Sequence, residues 1–264
     1  MIDLHSHILP GIDDGPKTMK QSLDLARLYV QAGYRQVVAT PHYMPGTTWM
    51  PAASVVKQQV LRINRAIAAR GLPLQVLPGM EVAMDTQIPG LLDDDSLLTL
   101  AHSTCLLLEV PFQQLPLGWD GLIYEILARG YKVLLAHPER CAQLFHSPEI
   151  FDKIINMEIY IQCDWGSLLG YHGPMAQQVV KSLIQHRLLH CLATDSHDAK
   201  ARNPACVRQA IAALGKIVGP QNITRIVFDN PARLLRSDDL KPVASLKKKP
   251  IRNKFRRFLP WPLR

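Results

Sequence analysis

Seven short apolar runs of strand character punctuate this chain, at 1–4, 36–39, 75–77, 105–110, 132–136, 159–162 and 190–193. Between them, the segments 19–32, 52–70, 121–129, 174–186 and 204–216 place apolar residues three and four positions apart, the period of a helix with one buried face. Such alternation predicts βα units on a parallel sheet, and seven strands in that arrangement suggest a barrel. Gly33, Gly71 and Gly130 each follow a helical segment, where a left-handed closing position favours glycine.

A chain of 264 residues is long for one domain, but α/β barrels accommodate that length. With 47% hydrophobic and 20% charged residues it can bury a sizeable core. The first residues lack the basic-then-apolar pattern of a secretory signal, and no apolar run reaches the roughly 20 residues that span a bilayer. A cytoplasmic location is therefore expected. Five dispersed cysteines, none in a CxxC pair, predict reduced thiols, no disulfide and no thiol nucleophile. The net charge of +8 is misleading as a sign of nucleic-acid binding. Nine of the Lys and Arg fall within 241–264, where there is no acid, so the rest of the chain is close to neutral and no nucleic-acid partner is expected. The predicted organisation is one domain over 1–236 and a basic, flexible tail over 237–264.

The strand ends carry the chemistry. After successive runs come His5 and His7, then His42, Glu81, Glu109, His137, and finally Asp195 with His197, so six of seven ends bear a metal-capable side chain. In parallel α/β folds these ends converge on one face. Spaced by two, His5 and His7 of HSH lie on one side of an extended chain, and both can reach one ion. Asp13 and Asp14 follow in a glycine-flanked loop that can return to them. Each motif also has a plain reading: solvated loop histidines for HSH, a helix N-cap for Asp195, and a core salt bridge for either glutamate. Glu81 in PGMEVAM and Glu109 in LLLEVPF are embedded in apolar sequence, where a buried carboxylate needs a cation, a hydrogen-bonding partner or a proton. Together these groups exceed what one tetrahedral ion needs, which points to a multinuclear centre whose mixed shell suits Mn, Fe or Zn.

HSHILPGIDDGP, ATPHY, PGMEV, LLLEVPF, LLAHPER and ATDSH, in that order, resemble the PHP (polymerase and histidinol phosphatase) family. They look most like its CpsB/CapC-like branch of protein-tyrosine phosphatases encoded with bacterial capsule and exopolysaccharide genes, over about 1–236. The resemblance implies a distorted (β/α)7 TIM-like barrel holding three metal ions, most often manganese or iron. By position it implies His5, His7, Glu81 and Asp195 around one ion, Glu81, Glu109 and His137 around a second, and Asp14, His42 and His197 around a third; Asp13 is the weaker of the two aspartates. It also implies that Arg140 and Arg202 hold the phosphoryl group, for which a planar guanidinium is well shaped. The alternative is that they pair with neighbouring acids such as Glu139 or Asp198.

The reaction expected is hydrolysis of a phosphate monoester, with cations activating water and stabilising the leaving oxygen. No cysteine has an arginine six positions later, so the thiol-based tyrosine phosphatase loop is absent. His42 is a candidate to assist the leaving group. Tyr43, Phe112, Trp119, Trp165 and Tyr171 lie on or near strand-end loops and are candidates to pack on a phenyl ring, or else ordinary packing residues. The implied partner is the phosphotyrosine tail of a membrane-associated bacterial tyrosine kinase. The tail, with Phe255, Phe258, Leu259 and Trp261 among basic residues, has the composition of a segment that binds an anionic membrane surface, or is a solvated extension. Two rival functions stay open: a histidinol-phosphate phosphatase, or another small-molecule phosphomonoesterase, on the same scaffold, and a non-catalytic metal-binding accessory subunit.

Overall fold

The computed structural model describes residues 1–147, 149–241 and 243. Nine strands occur among them: β1 (Ile2–Ser6), β2 (Gln36–Ala39), β3 (His42–Tyr43), β4 (Gln75–Pro78), β5 (Glu81–Ala83), β6 (Cys105–Glu109), β7 (Lys132–Ala136), β8 (Tyr160–Asp164) and β9 (Cys191–Ala193). All pair in parallel, as the alternating pattern predicts. They form two sheets, β1-β2-β4 and β3-β5-β6-β7-β8-β9, where one closed seven-stranded barrel is expected from sequence. The difference arises at two breaks: Pro41, which has no N–H for a ladder, separates β2 from β3, and Gly79 with Met80 separates β4 from β5. At Gly79 a Cβ would lie 2.9 Å from the Val38 side chain, so only glycine permits this approach.

Both faces of the strands are covered, which is why they read as apolar runs without polar alternation. On one face Val37, Leu106, Leu108, Val133, Leu135 and Ile161 join the large core beneath the helices. On the other, Ile2, Leu4, Val38, Leu107, Leu134 and Cys191 form a second, smaller cluster. The helices Met19–Ala32, Ala53–Ala68, Trp119–Ala128, Gly173–Gln185 and Val207–Val218 occupy the segments with helical period. The first is closed by a Thr18/Gln21 capping box at its start and by Gly33, at φ 98°, at its end.

The expected tail boundary after Arg236 does not coincide with the end of packing. Leu240 and Val243 are buried, and the Asn230 amide donates to the Lys241 carbonyl at 2.6 Å while accepting from its N–H at 3.0 Å. The Thr104 N–H donates to Ser237 Oγ, and Lys132 bonds Ser237 O and Asp239. The first residues beyond 236 thus cover the N-terminal ends of the strands, opposite the ends that bear the acids and histidines. Residues 244–264, including the proposed membrane-binding stretch, lie outside the described residues. Among the described residues no helix is long and apolar enough to cross a membrane.

Candidate metal centre

The C-terminal strand ends converge. β1 delivers His5 and, one residue past its end, His7; β3 and β5 pair so that His42 lies opposite Glu81; β6 ends at Glu109; and His137 follows β7. β9 leads into Asp195 and His197, held to β1 by His7 N–H to Ser196 O at 2.9 Å and Asp195 N–H to His5 O at 3.1 Å. Asp13 and Asp14 return to the histidines because the loop folds directly onto HSH: a Cβ on Gly15 would collide with the His7 carbonyl oxygen. Two of these residues, His137 at φ 33° and Asp195 at φ 47°, sit in the left-handed region, a strain that non-glycine residues carry at functional sites.

An unbroken chain of contacts, none longer than 3.8 Å, links all nine candidate ligands. His5 Nε2 and His7 Nε2 are 3.3 Å apart and lie 3.2 and 3.3 Å from Glu81 Oε2, and 3.5 and 3.4 Å from Asp195 Oδ1. Ligand atoms about 2.1 Å from a metal at tetrahedral angles stand about 3.4 Å from one another, so this spacing is that of a coordination shell. His137 Nε2 meets Glu81 Oε1 at 2.8 Å. Asp14 Oδ1 lies 3.2 Å from His197 Nε2 and 3.5 Å from His42 Nε2, while His42 Nδ1 faces Glu81 at 2.9 Å and Glu109 at 3.8 Å. The groupings overlap those implied by the resemblance: His5, His7 and Glu81 fall together, as do Asp14, His42 and His197. Ligand atoms within 4.8 Å of one another also place His7 with Asp14, His42 and His197, and His42 with Glu81 and Glu109.

The imidazoles are aimed as well as gathered. His5 Nδ1 bonds Gln162 Oε1 at 3.0 Å, His7 Nδ1 bonds Asp13 Oδ2 at 2.7 Å, and His197 Nδ1 bonds the Asp195 carbonyl at 2.9 Å. Each acceptor fixes the proton on Nδ1 and turns the Nε2 lone pair into the cluster. There Glu81 Oε2, Glu109 Oε2, His42 Nδ1 and His197 Nε2 are buried without a hydrogen-bond partner. Buried groups of this kind fit divalent or transition cations better than they fit one another. The field points the same way. Burial alone would lower His42, but the Asp14 and Glu81 carboxylates outweigh it and push the ring up to about 9. Burial likewise opposes protonation of His137, and Glu81 overrides it, up to about 10.

Arg140 and Arg202 reach the cluster from opposite loops. They pair with its acids rather than with Glu139 or Asp198: Arg140 Nη1 lies 2.9 Å and Arg202 Nη2 3.2 Å from the same oxygen, Asp195 Oδ2. Arg140 also contacts Asp164 at 3.3 Å and Arg202 contacts Asp14 at 3.5 Å. Both line a cavity of about 680 Å³ with Asp195, Tyr171, His172 and Asn203. Asp164 and Gln162 were not singled out from sequence. β8 runs to Asp164, beyond the predicted 162, so its end too bears an acid, and Gln162 with Asp164 joins His5 to Arg140. Burial, with Glu139 beside it, pushes the Asp164 carboxyl up to about 7. Trp49, also missed, stacks on His42 at 5.1 Å. Of the aromatic candidates, Tyr43, Trp119 and Trp165 are buried packing residues, whereas Phe112 and Tyr171 face solvent.

A parallel α/β scaffold that gathers imidazoles and carboxylates beside two guanidiniums defines a metal-centre protein built to take an anionic ligand. The chain belongs to the family described as capsular polysaccharide synthesis, CpsB/CapC, whose profile matches residues 1–236. It is 30% identical over 240 residues to the tyrosine-protein phosphatase YwqE of Bacillus subtilis, covering 91% of this chain and 93% of that one. With the tyrosine-protein phosphatase CpsB of Streptococcus agalactiae serotype III it shares 26% identity, over 90% of this chain and 99% of the relative. A solved structure, described as YwqE from Bacillus subtilis and CpsB from Streptococcus pneumoniae, unique metal-dependent tyrosine phosphatases, matches at a TM-score of 0.86 and 30% identity, over 94% of this chain and 100% of the other. A β-aspartyl dipeptidase from Fervidobacterium islandicum matches at 0.54 and 12% identity, a likeness of fold alone.

Proposed function

We propose that this chain is a metal-dependent protein-tyrosine phosphatase acting on the phosphotyrosine tail of a membrane-associated tyrosine kinase that controls capsule or exopolysaccharide synthesis. The family, the relatives named as tyrosine-protein phosphatases and the composition of the site all support this reading. The observation that carries it is the set of three histidines tethered through Nδ1 and facing Glu81, Asp195 and Asp14, next to two arginines that share one Asp195 oxygen.

In this reading His5, His7, Asp14, His42, Glu81, Glu109, His137, Asp195 and His197 hold three ions, with manganese favoured over iron or zinc. Bound cations supply an activated water and offset charge on the leaving oxygen. Arg140 and Arg202, set on either side of Asp195, grip the phosphoryl oxygens and orient phosphorus toward the centre. His42, whose Nε2 faces Asp14, would assist the departing phenolate only when that nitrogen is not holding an ion, and the phenolate, with an ordinary pKa near 10, needs little proton assistance. The two sheets then act as one distorted (β/α)7 barrel. With β2 continued by β3 and β4 by β5, strand order follows chain order, and the Ser6–Ser196 bridge joins first strand to last. The reading places the enzyme in the cytoplasm, with its basic C-terminal residues at the inner face of the membrane.

Hydrolysis of a phosphotyrosine peptide and of histidinol phosphate, compared with Mn²⁺ and with chelator, tests it. Chelator-sensitive preference for the peptide is expected. Preference for histidinol phosphate moves the function to small-molecule metabolism, and inactivity at full metal occupancy moves it to a binding subunit.

A further inference from the structure

A second cavity of about 440 Å³ lies against the first, and Arg140 and His172 line both. Its character differs. Phe112, Phe145, Pro174 and Met175 form much of its wall, and Phe112 and Met175 are 45% and 43% exposed. Exposed apolar side chains gathered around a concavity mark a binding surface rather than scattered surface residues. The wall is also built in place. The Ala142 N–H donates to the Phe112 carbonyl at 2.8 Å, and the Leu115 N–H donates to the Gln143 side chain at 2.7 Å. The Arg140 guanidinium carbon stands 4.5 Å from the centre of the Phe112 ring.

We propose that this cavity is an aryl subsite, which takes the phenyl ring of the phosphotyrosine whose phosphoryl group Arg140 and Arg202 hold. The inference rests on the phosphatase reading above and adds the source of its selectivity. Continuity with the anion site picks the occupant: an ester bound to Arg140 carries its organic group within a ring's width of that guanidinium, and the apolar surface there is Phe112 with Phe145 and Met175. The first cavity is lined by Thr194, Asn203, Gln209 and Asp195, with Tyr171 its one phenyl side chain, against two, Phe112 and Phe145, beside the apolar Met175 and Pro174 in the second. A planar aromatic ring fills such a slot by edge or face packing, whereas the short alkyl carbon of a phosphoserine leaves it to water.

The test uses the full chain loaded with Mn²⁺, wild type against Phe112→Ala and Phe112→Trp. It measures kcat/KM on phosphotyrosine and phosphoserine peptides of one sequence, together with equilibrium binding of phenylphosphonate and methylphosphonate. Wild type should favour the phenyl ligand in both assays. Phe112→Ala should lower the aryl-to-alkyl ratio about tenfold, mainly through KM, and Phe112→Trp should keep it, with melting temperatures reporting that each variant folds. A wild type that favours phenyl compounds, with an unchanged ratio in Phe112→Ala or an equal loss on both ligand types, overturns the subsite alone. A wild type that hydrolyses both peptides with no aryl preference also overturns the subsite and leaves the phosphatase reading standing, whereas a metal-loaded wild type inactive on the phosphotyrosine peptide overturns that reading.

Discussion

Glu81 meets His137 through one carboxylate oxygen, Oε1, at 2.8 Å from Nε2. Its other oxygen faces His5, His7 and His42 at 3.2, 3.3 and 2.9 Å and makes no hydrogen bond. One side chain therefore spans the two halves of the cluster, as expected of a ligand shared by neighbouring ions. Glu81→Gln keeps the shape but replaces half the carboxylate with an N–H₂ donor among imidazoles. We expect a loss of about a hundredfold or more in kcat/KM with reduced metal content, measured by kinetics and elemental analysis on the same samples.

Thiol chemistry should not matter to turnover. Cys105, Cys141, Cys163 and Cys191 are buried free thiols, and burial pushes Cys105 up to about 12 and raises the other three. Cys206 is only partly buried, and its thiol is raised for the same reason. Iodoacetamide at neutral pH should leave activity intact; progressive inactivation with label on one cysteine would point to a thiol nucleophile.

Asp3 anchors the seam between the first and last strands. Two residues before His5, it accepts from the N–H of Thr194, the residue before Asp195, at 3.1 Å, from Thr194 Oγ at 2.6 Å and from Tyr29 OH at 2.9 Å. Asp3→Ala leaves the Thr194 N–H without this acceptor and leaves the Tyr29 and Thr194 hydroxyls to bond each other, at 2.6 Å. Denaturant unfolding should show a loss of about 2–4 kcal/mol, with weaker metal retention; Asp3→Asn should lose less.

Acid stability has a component remote from the cluster. Burial lowers His190 to about 4, and its Nδ1 accepts the Ile161 N–H at 3.1 Å, a bond that protonation breaks. The unfolded ring titrates near 6.5, so between these values the unfolded state binds more protons and stability rises with pH. The contribution is fully present at pH 7 and is lost as pH drops from about 6.5 toward 4. For a partly exposed ring it is worth on the order of 2 kcal/mol. His190→Gln should flatten the wild-type slope of unfolding free energy over that window.

The sequence makes some parts of this site plain and hides others for physical reasons. His5, Glu109, His137 and Asp195 could be read because a parallel fold brings strand ends together whatever their separation in the chain. The approach of His42 to Glu109 could not, since it depends on the register of β3, β5 and β6. β3 and β5 are only two and three residues long, too short for periodicity to reveal. Gln162 and Asp164 left a usable signal, two polar residues spaced by two within the apolar run YIQCDW. Trp49 left none, lying in a loop with no repeat. Tyr43, Trp119 and Trp165 have the composition of a ring-binding surface, yet they are buried, which only packing decides.

In the proposed enzyme, nine side chains from strand ends and the adjoining loops form one multi-ion centre on which phosphotyrosine hydrolysis depends. Elemental analysis of protein equilibrated with Mn²⁺ and desalted, paired with activity on a phosphotyrosine peptide, tests it most directly. About three ions per chain are expected, with metal and activity lost together on chelation and restored together. A folded protein that retains no metal and hydrolyses the peptide equally well in chelator would rule out a multi-ion centre.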